Sequence, residues 1–186
     1  MRRFLVSLLF LVLAVGLAGC AANSYSAYFA IRPNAPYTLG SGDRVRVIVF
    51  GQDSLSNSYA VDGSGNIFMP LIGIVPAKGQ TIEGLARTIG AKLRNGYLRD
   101  PQVSAEVEAY RPFFVLGEVT TPGQYPYING MTAETAVAVA GGFTPRGYQG
   151  SADLTRVIDG RPITGKVPLT QLIRPGDTID VHERYF

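Results

Sequence analysis

The 186-residue chain has no tryptophan, one cysteine and one histidine, and only 17% of its residues are charged. Each scarcity removes a class of chemistry. A single cysteine cannot form an internal disulfide, and one histidine with one cysteine cannot build a His/Cys metal cluster. His182 stands beside Glu183 near the C-terminus, where a solvated strand-end residue is the simpler reading. A Ser-His-Asp site would have to use that histidine, and no Gly-x-Ser-x-Gly elbow occurs. Basic residues outnumber acidic ones 17 to 14, but setting aside Arg2 and Arg3 leaves 15 against 14. A nearly neutral chain with scattered arginines offers no phosphate-tracking stripe, so nucleic acid is excluded as a partner.

Glycine and proline are plentiful, with 22 and 12 copies. That content is above average but below a disordered composition. It predicts a folded, turn-rich chain of many short elements and argues against a helical bundle.

The amino terminus reads as an address. Arg2 and Arg3 precede a twelve-residue run, Phe4 to Val15, in which only Ser7 is polar. The run suits a signal peptide and is shorter than the roughly 20 residues of a spanning helix. Leu17-Ala18-Gly19-Cys20 then places the only cysteine directly behind small residues. This resembles a bacterial lipobox, which implies a signal peptide over 1–19 and a lipidated Cys20 as the mature N-terminus. The competing reading is a plain secretory signal with a chance cysteine. Ala21 and Ala22 follow the cysteine where lipoproteins held in the inner membrane often carry Asp, so the resemblance implies the outer membrane. Residues 20–36, rich in Ala, Asn, Ser, Tyr and Pro, read as a tether.

The mature chain divides into two predicted lobes, 37–110 and 111–186, of α+β class. In the first, Val45, Val47 and Val49 alternate with Arg44 and Arg46, a half-buried strand. Residues 59–61 and 66–69 flank Asp62-Gly63-Ser64-Gly65, which reads as a hairpin loop, and Leu71 to Val75 is a further apolar run. Thr81 is the expected cap of a helix near 82–95 carrying Leu85, Ile89 and Leu93 at helical spacing, with Gly96 behind it. Val103 to Ala109 alternates again. In the second lobe, strands are expected at 113–119, 124–127 and 178–181, a helix at 132–140, and a hairpin of 154–158 and 161–164 about Asp159-Gly160.

Gly42-Asp43, opening the first lobe's leading strand, is echoed by Gly176-Asp177 before the last strand. Two strands sharing a good entry turn explain the echo more simply than a duplication.

The residues offer three candidate chemistries. The acids Asp62, Asp100, Glu106, Glu108 and Glu118 would have to converge in pairs for glycosidase chemistry, and no spacing marks such a pair. Residues 160–166 fit seven places of a P-loop, but Val167 stands where a hydroxyl is needed, and Pro162 removes an N–H from the cradle. Tyr25, Tyr28, Tyr110, Tyr125, Tyr127 and Tyr148 offer sugar-stacking surface, or are half-buried sheet residues.

Taken in order, Leu39-Gly40-Ser41-Gly42-Asp43, Asp62-Gly63, Pro70-Leu71-Ile72-Gly73, Gly79-Gln80-Thr81 and Asp100-Pro101-Gln102-Val103 resemble the polysaccharide export sequence domain. Val115-Leu116-Gly117-Glu118-Val119, Pro122-Gly123-Gln124-Tyr125, Ala140-Gly141-Gly142-Phe143 and Pro175-Gly176-Asp177 resemble the soluble-ligand-binding beta-grasp module. With the lipobox, the set is similar to the outer-membrane polysaccharide export lipoproteins. The resemblance implies a beta-grasp-like second lobe, a homo-oligomeric ring facing the periplasm, export of capsular or exopolysaccharide, and an inner-membrane polysaccharide co-polymerase, often linked to a tyrosine kinase, as partner. It implies no cofactor, no metal and no catalytic residue. Longer members carry a C-terminal membrane helix. This chain stops five residues past Val181, which reads as a short member whose outer-membrane route a separate β-barrel would complete. A monomeric periplasmic sugar-binding lipoprotein is the alternative.

Cys20→Ser is expected to yield a soluble or unprocessed protein. Detergent phase partition and mass spectrometry check this, and unchanged partitioning would rule out lipidation at Cys20.

Overall fold

Strand β1 (Arg44–Val49) alternates as its sequence demands, with Val45, Val47 and Val49 buried and Arg44, Arg46 and Ile48 exposed. The computed structural model describes Phe29 and residues 36–184. Within them β1 is the middle of a three-stranded antiparallel sheet, between β2 (Asn57–Ala60) and β5 (Val103–Ala109). Val45 sits opposite Tyr59 on one side and Val107 on the other, so one apolar row crosses the sheet.

The expected hairpin about Asp62 to Gly65 is corrected. The chain does turn there: the Asp62 N–H donates to the Asn66 carbonyl at 2.8 Å. The flanking strands do not pair, however. β2 bonds to β1, while β3 (Asn66–Met69) forms its own two-stranded sheet with β4 (Gly73–Pro76). The Gly65 carbonyl accepts from the N–H groups of Ala77 and Lys78, which ties the turn to the far end of β4 instead. The apolar run from Leu71 also resolves differently. Leu71 lies in the turn at φ 68°, exposed, and β4 starts at Gly73.

Helix α1 (Ile82–Arg94) covers this lobe's core with Leu85, Ile89 and Leu93. The Thr81 hydroxyl accepts from the Gly84 N–H at 3.1 Å, and Gly96 follows the helix at φ +97°. The Glu83 carboxyl is held below its usual range by its own backbone N–H and the Thr81 side chain, the acid-favouring setting of a helix start.

The second lobe has β6 (Phe113–Gly117), β7 (Gly123–Tyr125), helix α2 (Ala133–Val139), β8 (Ala152–Ile158), β9 (Arg161–Val167) and β10 (Thr178–Val181). Its strand order is β7-β6-β10-β8-β9, with β6 and β10 parallel at the centre and an antiparallel hairpin on each flank. That is the expected beta-grasp-like arrangement, and the chain as a whole is α+β. β6 ends sooner than expected, because Gly117 turns at φ +79° and a Cβ there would meet Asp180 Oδ1 at 2.5 Å. Thr132 caps α2 through a reciprocal bond with Thr135, and Ala133, Ala136 and Val137 face inward. Asp159 and Gly160 turn the β8–β9 hairpin at φ 49° and 77°, and the P-loop look-alike is simply strand β9.

Each lobe has its own core. Phe113, Val115, Leu154, Ile179 and the α2 alanines centre the second, and fully buried Phe29, from the stretch 20–36, belongs to it. Leu85 is also fully buried, so Leu85→Ala should cost about 2–5 kcal/mol, read by chemical denaturation. A loss under about 0.5 kcal/mol, the range of surface changes, would contradict that packing.

Candidate functional site

The two Gly-Asp turns come together at the lobe junction and share one stereochemistry. Asp43 Oδ2 accepts from the Gly40 N–H at 2.7 Å, while the Asp43 N–H donates to the Gly40 carbonyl at 3.1 Å. Asp177 Oδ2 accepts from the Arg174 N–H at 2.7 Å, and the Asp177 N–H donates to the Arg174 carbonyl at 3.1 Å. Both carboxylates are buried, so each requires a cationic partner. Arg111 serves Asp43 at 3.2 Å, and its backbone N–H donates to Asp43 Oδ1 at 2.8 Å. Arg156 forks onto Asp177, Nε to Oδ1 at 2.9 Å and Nη2 to Oδ2 at 2.7 Å.

Arg111 threads between the turns. A Cβ at Gly40 would collide with its guanidinium, and one at Gly176 would lie 2.9 Å from its Nε. The Gly176 N–H closes the contact by donating to the Pro112 carbonyl at 3.0 Å. Glycine thus serves two needs at position 176, the φ of +85° and the close approach of Arg111.

Three tyrosines line the same junction. Tyr37 and Tyr110 meet edge to face at 4.9 Å, and Tyr110 meets Tyr127 likewise at 5.5 Å. The Tyr37 hydroxyl donates to Asp43 Oδ2 at 2.6 Å and accepts from Arg111 at 2.8 Å. Burial, reinforced by that bond to Asp43, pushes its pKa far up, and burial raises Tyr127 and Tyr59 in the same direction. Beside them opens a cleft of about 710 Å³, bordered also by Asn129, Arg156 and Arg174. Burial, with Arg156 close by, lowers the Arg174 pKa.

Phe29 lies beside the second ion pair. The Arg156 guanidinium lies 5.7 Å from the Phe29 ring centre, and the Phe29 carbonyl accepts from Gln171 at 2.9 Å.

The acids considered for catalysis are dispersed. Asp62 accepts from the Asn66 N–H at 2.9 Å, and Asp100 from the Gln102 amide at 3.3 Å. Glu108 faces Arg44 at 3.4 Å, Glu106 faces Arg46 at 4.0 Å, and Glu118 accepts from Thr144 at 2.6 Å. His182 is half exposed, with Asp153 at 2.9 Å from Nε2. Among the described residues no three His, Cys, Asp or Glu side chains are placed to hold a metal ion. Of the tyrosines singled out, Tyr110 and Tyr127 meet at the junction. Tyr125 tilts against Phe113 at 6.0 Å, and Tyr148 lies under Lys166 at 5.9 Å. Tyr25, Tyr28 and Cys20 lie outside the described residues.

Sequence reasoning missed Tyr37, Arg111, Arg156 and Arg174. The available signal was the echoed aspartate: a carboxylate at the entry of a buried strand calls for a cation. It also missed an exposed apolar patch, where Phe68 and Ile74 sit opposite each other on the outer face of β3–β4 with Leu71 at the turn.

Residues 32–108 match the polysaccharide biosynthesis/export protein family, and residues 112–167 match the SLBB domain. Among curated proteins, the exopolysaccharide production protein ExoF of Rhizobium meliloti is 38% identical over 118 residues, covering 57% of this chain and 28% of its own. The polysialic acid transport protein KpsD of Escherichia coli is 29% identical over 114 residues, covering 60% of this chain and 20% of its own. The EPS I polysaccharide export outer membrane protein EpsA of Ralstonia nicotianae is 29% identical over 185 residues, covering 80% and 48%. The chain therefore spans less than half the length of each of these relatives.

The raised tyrosines set an alkaline limit on stability. In the unfolded chain they ionise near pH 10, whereas in the folded chain Tyr37, Tyr59 and Tyr127 keep their protons longer. The folded state then binds more protons, so stability is fully present below about pH 10 and falls above it. Tyr37→Phe should reduce that slope by about one proton. Denaturant melts across the alkaline range check this, with phenolate absorbance read free of tryptophan; an unchanged slope would contradict the assignment.

Proposed function

The chain belongs to the polysaccharide biosynthesis/export protein family, and on that footing we propose that it is a periplasm-facing, lipid-anchored component of the outer-membrane conduit exporting capsular or exopolysaccharide. It acts as an oligomer and performs no catalysis. The observation that carries this reading is the succession of an export-family module at 32–108 and an SLBB domain at 112–167. The named roles of the relatives in exopolysaccharide production, polysialic acid transport and outer-membrane export point the same way.

The geometry supports a scaffolding role. The acids described above are engaged in turns, cross-strand pairs and the junction, where they shape the fold. The exposed Phe68, Leu71 and Ile74 offer apolar surface of the kind that interfaces cover. A closed ring of identical subunits uses heterologous contacts, so one such face per copy suffices. No described helix is long and apolar enough to cross a membrane. In this reading the anchor is the lipid at Cys20, and many anchors in one ring hold far more strongly than the marginal grip of one acyl chain. The partners are an inner-membrane polysaccharide co-polymerase, the polymer itself and a separate outer-membrane β-barrel.

A monomeric periplasmic sugar-binding lipoprotein is the second reading, favoured by the tyrosine-lined cleft. Sedimentation of the detergent-extracted protein separates the two, since a ring runs as a large multiple of the protomer. Deleting the gene should abolish secreted polymer, while single substitutions of Asp62, Glu106, Glu108 or His182 leave secretion intact. A monomer in sedimentation would defeat the ring, and secretion lost on one of those four changes with assembly preserved would defeat the non-catalytic reading.

A further inference from the structure

We propose that the junction cleft binds an acidic sugar unit, its carboxylate on the Arg174 guanidinium and its ring against the tyrosines. The inference rests on the polysaccharide-export reading and specifies the chemistry of the cargo.

The charges in the cleft are unevenly matched. Three arginines border it, Arg111, Arg156 and Arg174. Asp43 takes the first and Asp177 the second. Arg174 gives its backbone N–H to Asp177, but its guanidinium forms no ion pair among the described residues. One cation at the exposed wall of the cleft therefore has no ion-pair partner among the described residues, although Asp177 is close enough to favour its charge. Partial burial and the neighbouring Arg156 disfavour that charge while Asp177 favours it, and a bound anion adds to the favourable side.

The shape of the guanidinium narrows the ligand. Its planar fork matches a carboxylate two bonds at a time, a geometry a lysine could not offer. The other wall is aromatic. Tyr37, Tyr110 and Tyr127 all border the cleft, and tyrosine combines an apolar ring with a polar tip. A pyranose is chemically matched to such a wall, with C–H groups for the ring and hydroxyls for its rim. Asn129, exposed at the same mouth, adds an amide that both donates and accepts. The volume, about 710 Å³, falls within the usual span of ligand sites.

A uronic acid combines the ring and the carboxylate in one residue. Tyr37 and Tyr110 precede the junction, whereas Tyr127 and Arg174 follow it, so one bound sugar touches both lobes.

The test is titration calorimetry of the full chain in detergent micelles with trigalacturonate, against maltotriose as the uncharged analogue and inorganic phosphate as the bare anion. Saturable heat with trigalacturonate and none with maltotriose is the expected result. Arg174→Gln should weaken trigalacturonate by about tenfold or more, with an unchanged melting temperature, and Arg174→Lys by less. Arg161→Gln, on the exposed β8–β9 turn, should have no effect. Three outcomes would each overturn the proposal: no saturable heat below about 1 mM, equal binding by Arg174→Gln, or phosphate competing at the same concentration as trigalacturonate. The export reading fails separately, through a gene deletion that leaves secretion intact; if deletion abolishes secretion while Arg174→Gln binds as well as the parent, only the cleft assignment falls.

Discussion

Asp43 and Asp177 lie out of water on either side of Arg111, and an ionised carboxylate in such a place is untenable without a cation and hydrogen bonds. Each is supplied with both by the same local device: a bond from the N–H three residues back and an arginine from a different part of the chain. Because Asp43 immediately precedes β1 and Asp177 immediately precedes β10, this requirement fixes where the leading strand of one lobe and the closing strand of the other begin. Pairs of this kind contribute little net stability compared with apolar replacements, but losing one partner is costly. Their consequence here is positional: Arg111 belongs to both turns, so the lobes meet in one way.

Two small cores depend on that junction. Each lobe alone buries a modest share of its surface, as small domains do. Tyr37, Tyr110 and Tyr127 continue the contact beyond the ion pair by edge-to-face packing. Phe29 adds a third tie, inserting an early residue into the second core and placing its carbonyl against Gln171. At Phe29, the stretch expected as a tether is instead packed into the second core.

Local patterns were legible in the sequence. The Val45, Val47, Val49 alternation, the Thr81 cap and the Leu85–Ile89 spacing need only a few neighbouring residues to declare themselves, and each was found where the pattern placed it. The Asp159-Gly160 turn was equally readable, since its two positive-φ positions suit few other residues. What escaped was nonlocal. β2 and β3 flank a genuine turn, but their ladders are completed by β1 and β4, a choice decided by the bonds at Gly65. Arg111 stands 68 residues from Asp43, and nothing in its immediate surroundings marks it as a buried partner. The echo of the Gly-Asp turns was visible, and their bland reading as shared entry turns agrees with the geometry; that they converge on one arginine was not visible. Leu71, apolar by type, reads as strand or core, yet its left-handed backbone puts it in a turn.

The same nonlocal placement explains why the cleft was not foreseen. Among the described tyrosines that offer sugar-facing surface, Tyr110 and Tyr127 share the junction, joined there by Tyr37. Aromatic content by itself does not make a binding wall; the wall exists because the Asp43–Arg111 contact draws Tyr37 onto Tyr110 and brings both beside the second lobe. The Asp43–Arg111 pair that joins the lobes and the Asp177–Arg156 pair inside the second lobe occupy two of the three cleft arginines, and Arg174 has no ion-pair partner among the described residues. Cohesion and charge asymmetry at this junction thus have one origin, the two buried aspartates at the strand entries.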